Sequence, residues 1–126
     1  MVKVYPKVCC VMCTYGRFET VRQSVGMFLW QDYPVKELVV FNTAPTPIHL
    51  DPYLRSFANV RVVNQPLKAD GTPYQSLGDV RTASLAHAEG DVYICWDDDD
   101  FFLPWHITNG IERKGSDIAW KPEVSY

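Results

Sequence analysis

The sequence has no long apolar run, no basic stripe and no internal repeat, and each absence excludes a class of protein. The apolar run from Val8 to Cys13 spans only six residues. A membrane-spanning helix needs about 20 residues and the core of a signal peptide about 7–15. We therefore expect a cytoplasmic protein without a membrane span. Lys and Arg are scattered and the net charge is -3, so we do not expect nucleic acid as a partner.

The length and the cysteine content indicate a single intracellular domain. The chain has 126 residues, which suits one domain over residues 1–126. Free thiols are expected in a reducing compartment, so we predict no disulfide among Cys9, Cys10, Cys13 and Cys95. A zinc site at the first three is disfavoured, because adjacent residues of a strand point to opposite faces and no nearby His completes the spacing.

Apolar periodicity predicts strands that alternate with helices. Residues 7–13 (KVCCVMC) and 37–41 (ELVVF) are short apolar runs, typical of strands covered on both faces. Between them, apolar residues recur at helical spacing from Phe18 to Leu29. The same reasoning predicts strands at 60–63, 91–96 and 118–120 and helices at 52–57, 76–88 and about 104–114. The pattern indicates an α/β fold, a three-layer sandwich around a mostly parallel central sheet.

Four consecutive aspartates, Asp97 to Asp100, follow one of the predicted strands. Like charges this close repel one another, so a cation is expected to offset them. Mg²⁺ and Mn²⁺ prefer carboxylate oxygens, and Asp97 and Asp99 can face one ion if the backbone stays extended. Asp98 would then point elsewhere. The alternative is an acidic turn whose carboxylates accept backbone hydrogen bonds; the twelve-residue calcium loop of an EF-hand is absent.

Three sequence blocks together resemble one enzyme family. They are Val8 to Arg17 (VCCVMCTYGR), Leu29 to Val40 (LWQDYPVKELVV) and Gly78 to Pro104, which includes Arg81, Gly90 and the segment WDDDDFFLP. In this order and spacing they resemble the GT-A-fold nucleotide-sugar glycosyltransferases, in the large inverting family that includes cellulose and chitin synthases. The resemblance implies a Rossmann-like nucleotide-binding half and a DxD motif at the aspartates.

The resemblance also implies which residues bind the donor. Thr14, Tyr15 and Arg17 match the turn that lines the base and the phosphates, and Arg81 matches an arginine on the donor side. A fixed cation near diphosphate oxygens makes charge-assisted hydrogen bonds. Members of the family usually carry Asp where this chain has Asn42, after the second strand. Asn offers both a donor and an acceptor, so reading of the uracil edge is predicted to survive.

The same resemblance implies roles for the aspartates. Asp99 matches the usual metal ligand, with Asp97 as the second ligand or a contact to the donor. Asp98, between them, is a further candidate for the ribose contact. The resemblance thus implies a divalent cofactor, Mn²⁺ or Mg²⁺, and a nucleotide-sugar ligand, with a UDP-sugar as the predicted donor.

The second half of the family's machinery has no counterpart in the sequence. That half binds the acceptor and carries the catalytic base, which deprotonates the attacking hydroxyl in an inverting transfer. The late candidates for a base are His106, Asp117 and Glu123. The acceptor, a glycan, a lipid or a protein, is not identified, and a partner chain or a homo-oligomer is one way to complete the site.

Three functions remain open from the sequence. The leading interpretation is a short, metal-dependent glycosyltransferase that transfers a sugar with inversion. The second is a nucleotide-sugar-binding module without turnover, which would explain the missing base. The third is a nucleotidyltransferase, disfavoured because that class usually carries a Gly-rich loop after its first strand, where this chain has Thr14-Tyr15-Gly16-Arg17.

Overall fold

The structure is a computed structural model that describes residues 5–50, 59–113 and 118–120. Five strands and three helices alternate along these residues. In chain order they are β1 (Val8–Thr14), α1 (Phe18–Leu29), β2 (Lys36–Asn42), β3 (Val60–Asn64), α2 (Leu77–Leu85), β4 (Val92–Cys95), α3 (His106–Arg113) and β5 (Ile118–Trp120).

The strands form one sheet in the order β3-β2-β1-β4-β5. The first four strands of that order run parallel, and β5 pairs antiparallel with β4. This confirms the predicted α/β fold with a mostly parallel sheet. The register sets Thr14 beside Asn42 and Val11 beside Cys95, so the strand ends that carry the candidate residues lie at one edge.

Both faces of the sheet are covered, which explains why β1 is apolar along nearly its whole length. Val8, Cys10 and Met12 point to one side and pack with apolar residues of α1 and with Ile107 of α3. Cys9 and Val11 point to the other side. That side carries α2, so the sheet lies between two helical layers. Continuous apolar runs suit strands that are buried on both faces.

The helix boundaries differ from the predicted ones for local reasons. The helix α2 ends at Leu85 rather than Ala88, because residues 86–88 donate their amides to carbonyls three positions back, the tighter pattern that closes many helices. Ser76 caps α2 by accepting the Asp79 amide at 3.1 Å, as the capping-box spacing predicts. The helix predicted at 52–57 lies outside the described residues. No helix in the described part of the chain is long and apolar enough to cross a membrane.

Candidate functional site

The turns after β1 and β4 lie side by side at the carboxyl edge of the sheet. The two strands are parallel neighbours, and the Trp96 amide extends their ladder by donating to the Val11 carbonyl at 2.9 Å. Ligands of open α/β sheets bind at this edge. The structure therefore brings together the Thr14–Arg17 turn and the aspartate turn, which lie more than 80 residues apart in the chain.

The buried side chain of Asp98 connects these two turns. Its Oδ2 accepts a 2.7 Å hydrogen bond from the Thr14 hydroxyl, and its Oδ1 lies 3.8 Å from the Arg17 guanidinium. The side chain is only 9% exposed. The Asp98 side chain therefore points into the protein. Its contacts and those of the Thr14 hydroxyl are within the protein, so both residues hold the two turns together.

Arg17 and Asp99 lie on the solvent side of the same junction. The Arg17 guanidinium is 3.7 Å from Asp99 Oδ2, and the two side chains are 58% and 63% exposed. An exposed ion pair contributes little to stability, because water and salt screen it. Either side chain can therefore leave the ion pair and contact a ligand at a small cost in free energy.

Asp97 lies apart from that pair and faces Arg81. The pKa of its carboxyl is raised, first by partial desolvation and then by a hydrogen bond and charge repulsion from Asp100, while the nearby Arg81 lowers it. Asp97 and Asp100 thus form a carboxylate pair at the rim of the turn.

Two cavities meet at this edge and share Cys13 and Leu77 in their walls. The first, here called the Arg17 cavity, has a volume of about 250 Å³ and is lined by Cys13, Thr14, Tyr15, Arg17, Thr43, Leu77, Val80, Asp98 and Asp99. The second, the Arg81 cavity, has a volume of about 230 Å³ and is lined by Val11, Cys13, Leu77, Arg81, Ser84, Leu85, Tyr93, Ile94, Cys95 and Asp97.

The aspartate turn separates these cavities rather than facing one of them. Asp98 and Asp99 line the Arg17 cavity, whereas Asp97 lines the Arg81 cavity. Each cavity therefore holds one arginine and at least one carboxylate. A ligand that lies across Leu77 could contact all of these groups.

Asn42 does not face either cavity. The side chain is completely buried, and its oxygen accepts the amides of Gly16 and Ala44 at 3.0 and 3.1 Å. Its amide nitrogen donates to the Thr46 carbonyl at 3.0 Å and to Asn64 Oδ1 at 2.9 Å. Both donor hydrogens and two acceptor positions are used within the protein. The predicted reading of a uracil edge by Asn42 has no support in this arrangement.

The helix α1 and Gln31, which follows it by two residues, hold the two ends of the aspartate turn, and the sequence reasoning missed these contacts. Before the turn, the Ser24 hydroxyl donates to the Asp97 carbonyl at 3.1 Å. After it, the buried Gln31 donates to the Leu103 carbonyl at 2.7 Å and accepts the Ile107 amide at 3.0 Å. Gln31 lies within the Leu29 to Val40 block, so a polar residue amid apolar positions near a helix end was the available signal.

Of the three candidates for a catalytic base, the structure describes the surroundings of His106 alone. The His106 ring packs against the rings of Trp96 and Phe102, with centroids 5.7 and 4.9 Å away. It lines neither the Arg17 nor the Arg81 cavity. Asp117 and Glu123 lie outside the described residues.

The donor set at the turn suits a hard divalent cation. Within residues 5–50, 59–113 and 118–120, no group of three or more His, Cys, Asp and Glu side chains is arranged to hold a metal ion. Mg²⁺ commonly takes one or two carboxylates and completes its shell with water and substrate phosphates. Asp99 is 63% exposed and Asp97 lines the Arg81 cavity, so the turn offers the one or two carboxylates that such an ion takes from a protein.

The structure is an α/β domain with a mostly parallel sheet and with acidic and basic groups at one sheet edge. The family model described as glycosyl transferase family 2 matches residues 9–117, so the chain belongs to that family. The resemblance drawn from the three sequence blocks is thereby confirmed. No curated protein sequence matches the chain.

Solved structures with the same fold include three glycosyltransferase systems. The mannosyltransferase PcManGT from Pyrobaculum calidifontis, in complex with GDP-Man and Mn²⁺, is 23% identical, with a TM-score of 0.59 over 84% of this chain. S. aureus TarS 1-349 in complex with UDP-GlcNAc is 20% identical, with a TM-score of 0.61 over 84%. Glucosyl-3-phosphoglycerate synthase from Mycobacterium tuberculosis, in complex with Mn²⁺ and UDP, is 23% identical, with a TM-score of 0.51 over 75% of this chain. The chain spans 31%, 30% and 34% of these structures.

Proposed function

We propose that this chain is a metal-dependent glycosyltransferase domain whose donor, a nucleoside diphosphate sugar, lies across the Arg17 and Arg81 cavities. The observation that supports it best is the placement of one arginine in each cavity with the aspartate turn between them. Arginines bind phosphate oxygens through charge-assisted hydrogen bonds, and carboxylates hold the cation that accompanies a diphosphate. A UDP-sugar is the donor to test first, because the sequence resemblance implies it.

We assign different roles to the acidic residues: some bind the metal, and one orients the turn. Asp99 and Asp97 are the proposed ligands; Asp99 is exposed beside Arg17, and Asp97 lines the Arg81 cavity. Asp98 orients the turn through Thr14. A bound Mn²⁺ or Mg²⁺ would stabilise negative charge on the departing diphosphate. Arg17 would then leave Asp99 and meet a phosphate, an exchange between two exposed partners.

Transfer is proposed to proceed with inversion, as the sequence resemblance implies. An inverting transfer needs a base beside the acceptor hydroxyl. His106 is held in an aromatic cluster, so we place the base and the acceptor site outside the described residues. A second copy of the chain, or another chain, is one source for them. The acceptor, a glycan, a lipid or a protein, stays open.

Calorimetric titration of UDP tests the donor site directly. We expect binding in Mn²⁺ that weakens at least about tenfold in EDTA and in Asp99→Asn, which corresponds to about 1.4 kcal/mol. Glu19→Gln is the matched control. It removes the same charge from an exposed residue of α1, close to Arg17 in the chain, and should change the affinity less than about twofold. Binding that is unaffected by EDTA would contradict the metal dependence. No binding of any nucleoside diphosphate would contradict the proposal as a whole.

A nucleotide-sugar-binding module without turnover is the second candidate. The packing of His106 away from both cavities favours it, since no other candidate base lies within the described residues. Release of UDP from a UDP-sugar in Mn²⁺ separates the two functions. Release that Asp99→Asn abolishes indicates an enzyme, with water or an added glycan as acceptor. Tight binding without release, in the presence of candidate acceptors, indicates the module.

A further inference from the structure

The orientation of the Asn42 amide is fixed from both sides. Asn64 accepts the Ile48 amide at its Oδ1, 2.9 Å away, and donates from its own amide nitrogen to the Ile48 carbonyl at 3.1 Å. Asn64 Oδ1 therefore must accept, and the Asn42 nitrogen donates to it. On its other side, Asn42 accepts two backbone amides. Turning the Asn42 amide around would set donors against donors and acceptors against acceptors at a completely buried position.

The backbone around Asn42 depends on these bonds. Gly16, whose φ of 69° is a left-handed conformation that glycine adopts readily, donates its amide to Asn42. Ala44 and Thr46, in the loop after β2, are held by the same side chain. Asn42 thus acts as a positioning residue that links the Thr14–Arg17 turn to the loop after β2. It has no spare hydrogen-bonding group to offer a base.

Other polar groups of the same corner are also engaged within the protein. The Thr14 carbonyl accepts the Thr43 amide at 3.1 Å, and the Thr14 hydroxyl donates to Asp98. The Gly16 carbonyl accepts the Phe18 amide at 3.1 Å. A base that entered this corner would find these groups of Thr14, Gly16 and Asn42 already used within the protein. Discrimination between bases by hydrogen bonds needs such groups, held in fixed positions.

Three side chains of the Arg17 cavity at this corner can meet a ligand. Tyr15 is 65% exposed, and the Arg17 guanidinium is 58% exposed, at 3.8 Å from Asp98 and 3.7 Å from Asp99. The Thr43 hydroxyl also lines the cavity, and because a hydroxyl can turn to donate or to accept, it does not select one base edge. An aromatic ring stacks on the face of any base, and a guanidinium binds phosphate whatever base it carries. Both contacts give affinity without reading the base edge.

From these observations we propose that the Arg17 cavity accepts nucleoside diphosphates with little regard to the hydrogen-bonding edge of the base, because Asn42 is committed to holding the Gly16 turn. This rests on the proposed function, since it concerns the donor of the same site. It departs from the expectation that the residue after β2 selects uracil. The donor preference would then be set by the diphosphate, the metal and the sugar.

Two pairs of ligands test the proposal on the natural chain. UDP and CDP have the same ring system and differ in the hydrogen-bonding edge of the base, and GDP and ADP form the matching purine pair. With Mn²⁺ present, we expect the two dissociation constants within each pair to agree within about tenfold, since stacking tolerates every base. A ratio above about tenfold in either pair would overturn the inference and leave the proposed function standing. Failure of all four to bind would instead overturn the proposed function.

The Tyr15→Ala variant tests the stacking contact. It should weaken all four ligands by a similar factor, on the order of tenfold. Trp30→Ala is the control, because Trp30 is an exposed aromatic residue that lines neither cavity, and its affinities should match those of the natural chain. Loss confined to one base, or no loss for any, would show that Tyr15 does not provide a base-tolerant platform.

Discussion

The hydroxyl of Thr14 donates a 2.7 Å hydrogen bond to the buried carboxylate of Asp98, across 84 positions of the chain. The bond links the last residue of β1 to the middle of the aspartate turn. Because β1 and β4 are parallel neighbours, the two residues leave the sheet at the same edge. The turn that carries the proposed metal ligands is therefore held against the turn that carries Tyr15 and Arg17.

Replacing Thr14 with valine should destabilise the protein through Asp98. The change keeps the shape of the side chain but removes the donor, so a buried carboxylate loses its short hydrogen bond. We expect the free energy of unfolding to fall by about 1–3 kcal/mol, measured by urea denaturation. The control is Thr82→Val on the exposed side of α2, which should stay within about 0.5 kcal/mol of the natural chain. Equal stabilities of the two variants would contradict the proposed role of the bond.

Replacing Gln31 with leucine should loosen the segment that follows the aspartate turn. Gln31 is buried, and its amide makes hydrogen bonds to Met27, Leu103 and Ile107. Leucine leaves the last two backbone groups without this partner, so we expect a loss of about 2–4 kcal/mol. Hydrogen exchange at the Ile107 amide should accelerate more than exchange in β1.

The comparison for Gln31 is Gln23→Leu, on the exposed face of the preceding helix α1. That change should alter the unfolding free energy by less than about 0.5 kcal/mol. If Gln31→Leu were as stable as Gln23→Leu, the Gln31 side chain would not anchor the turn.

Two glycine-to-alanine changes should alter the free energy of unfolding in opposite directions. A Cβ at Gly90 would lie 3.0 Å from the Lys7 carbonyl oxygen and 3.2 Å from the Cys9 amide nitrogen, both backbone atoms of the sheet region. Gly90→Ala should therefore cost about 1–3 kcal/mol through overpacking. A Cβ at Gly26, in α1, meets nothing within 4 Å, so Gly26→Ala should gain about 0.5–1 kcal/mol from helix propensity. Thermal unfolding measures both, and a shift of the same sign would refute the packing account of Gly90.

The buried thiol of Cys9 should make stability fall at alkaline pH. Burial, as the largest cause, raises its pKa from 9.0 to about 11, so the folded state keeps the thiol neutral where the unfolded chain ionises. The contribution of this thiol to the free energy of unfolding is complete below about pH 9. It is lost as the pH rises toward 11, by up to about 1.4 kcal/mol per pH unit. Burial also raises the pKa of the Cys10 and Cys13 thiols.

Urea denaturation from pH 8 to 10.5 under reducing conditions measures this effect. The stability difference between the natural chain and Cys9→Ala should shrink as the pH rises, because only the natural chain carries that titrating thiol. Cys95→Ala, which changes an exposed thiol, should show the pH dependence of the natural chain. A difference that stays constant across this range would contradict the assignment to Cys9.

The sequence determined the class of fold because the relevant patterns are local. The apolar run of β1 requires burial on both faces, the spacing of α1 gives it one apolar stripe, and Ser76 caps α2 three residues before Asp79. Such patterns depend on neighbours within a few positions. They also identify the turns that follow β1 and β4, since polar residues interrupt apolar runs there.

The sequence alone did not predict the directions of individual side chains. Adjacent aspartates leave the chain on different sides, and contacts with α1, α2 and β1 decide which of them is buried. The sequence therefore indicated four candidate carboxylates, but only the packed structure separated Asp98, bonded to Thr14, from Asp97 beside Arg81. Gln31 was missed for the same reason, because its partners lie more than 70 residues away.

By itself, then, the sequence determined an α/β chain of the glycosyltransferase family with an acidic turn after its fourth strand, because periodicity and motif spacing are properties of short segments. Only the tertiary structure decided which polar groups are free to meet a ligand. Asn42 is the clearest case: its residue type permits reading a base, but Gly16, Ala44, Thr46 and Asn64 occupy its hydrogen-bonding positions. Each donor hydrogen and each acceptor lone pair can be used once, and long-range packing determines where.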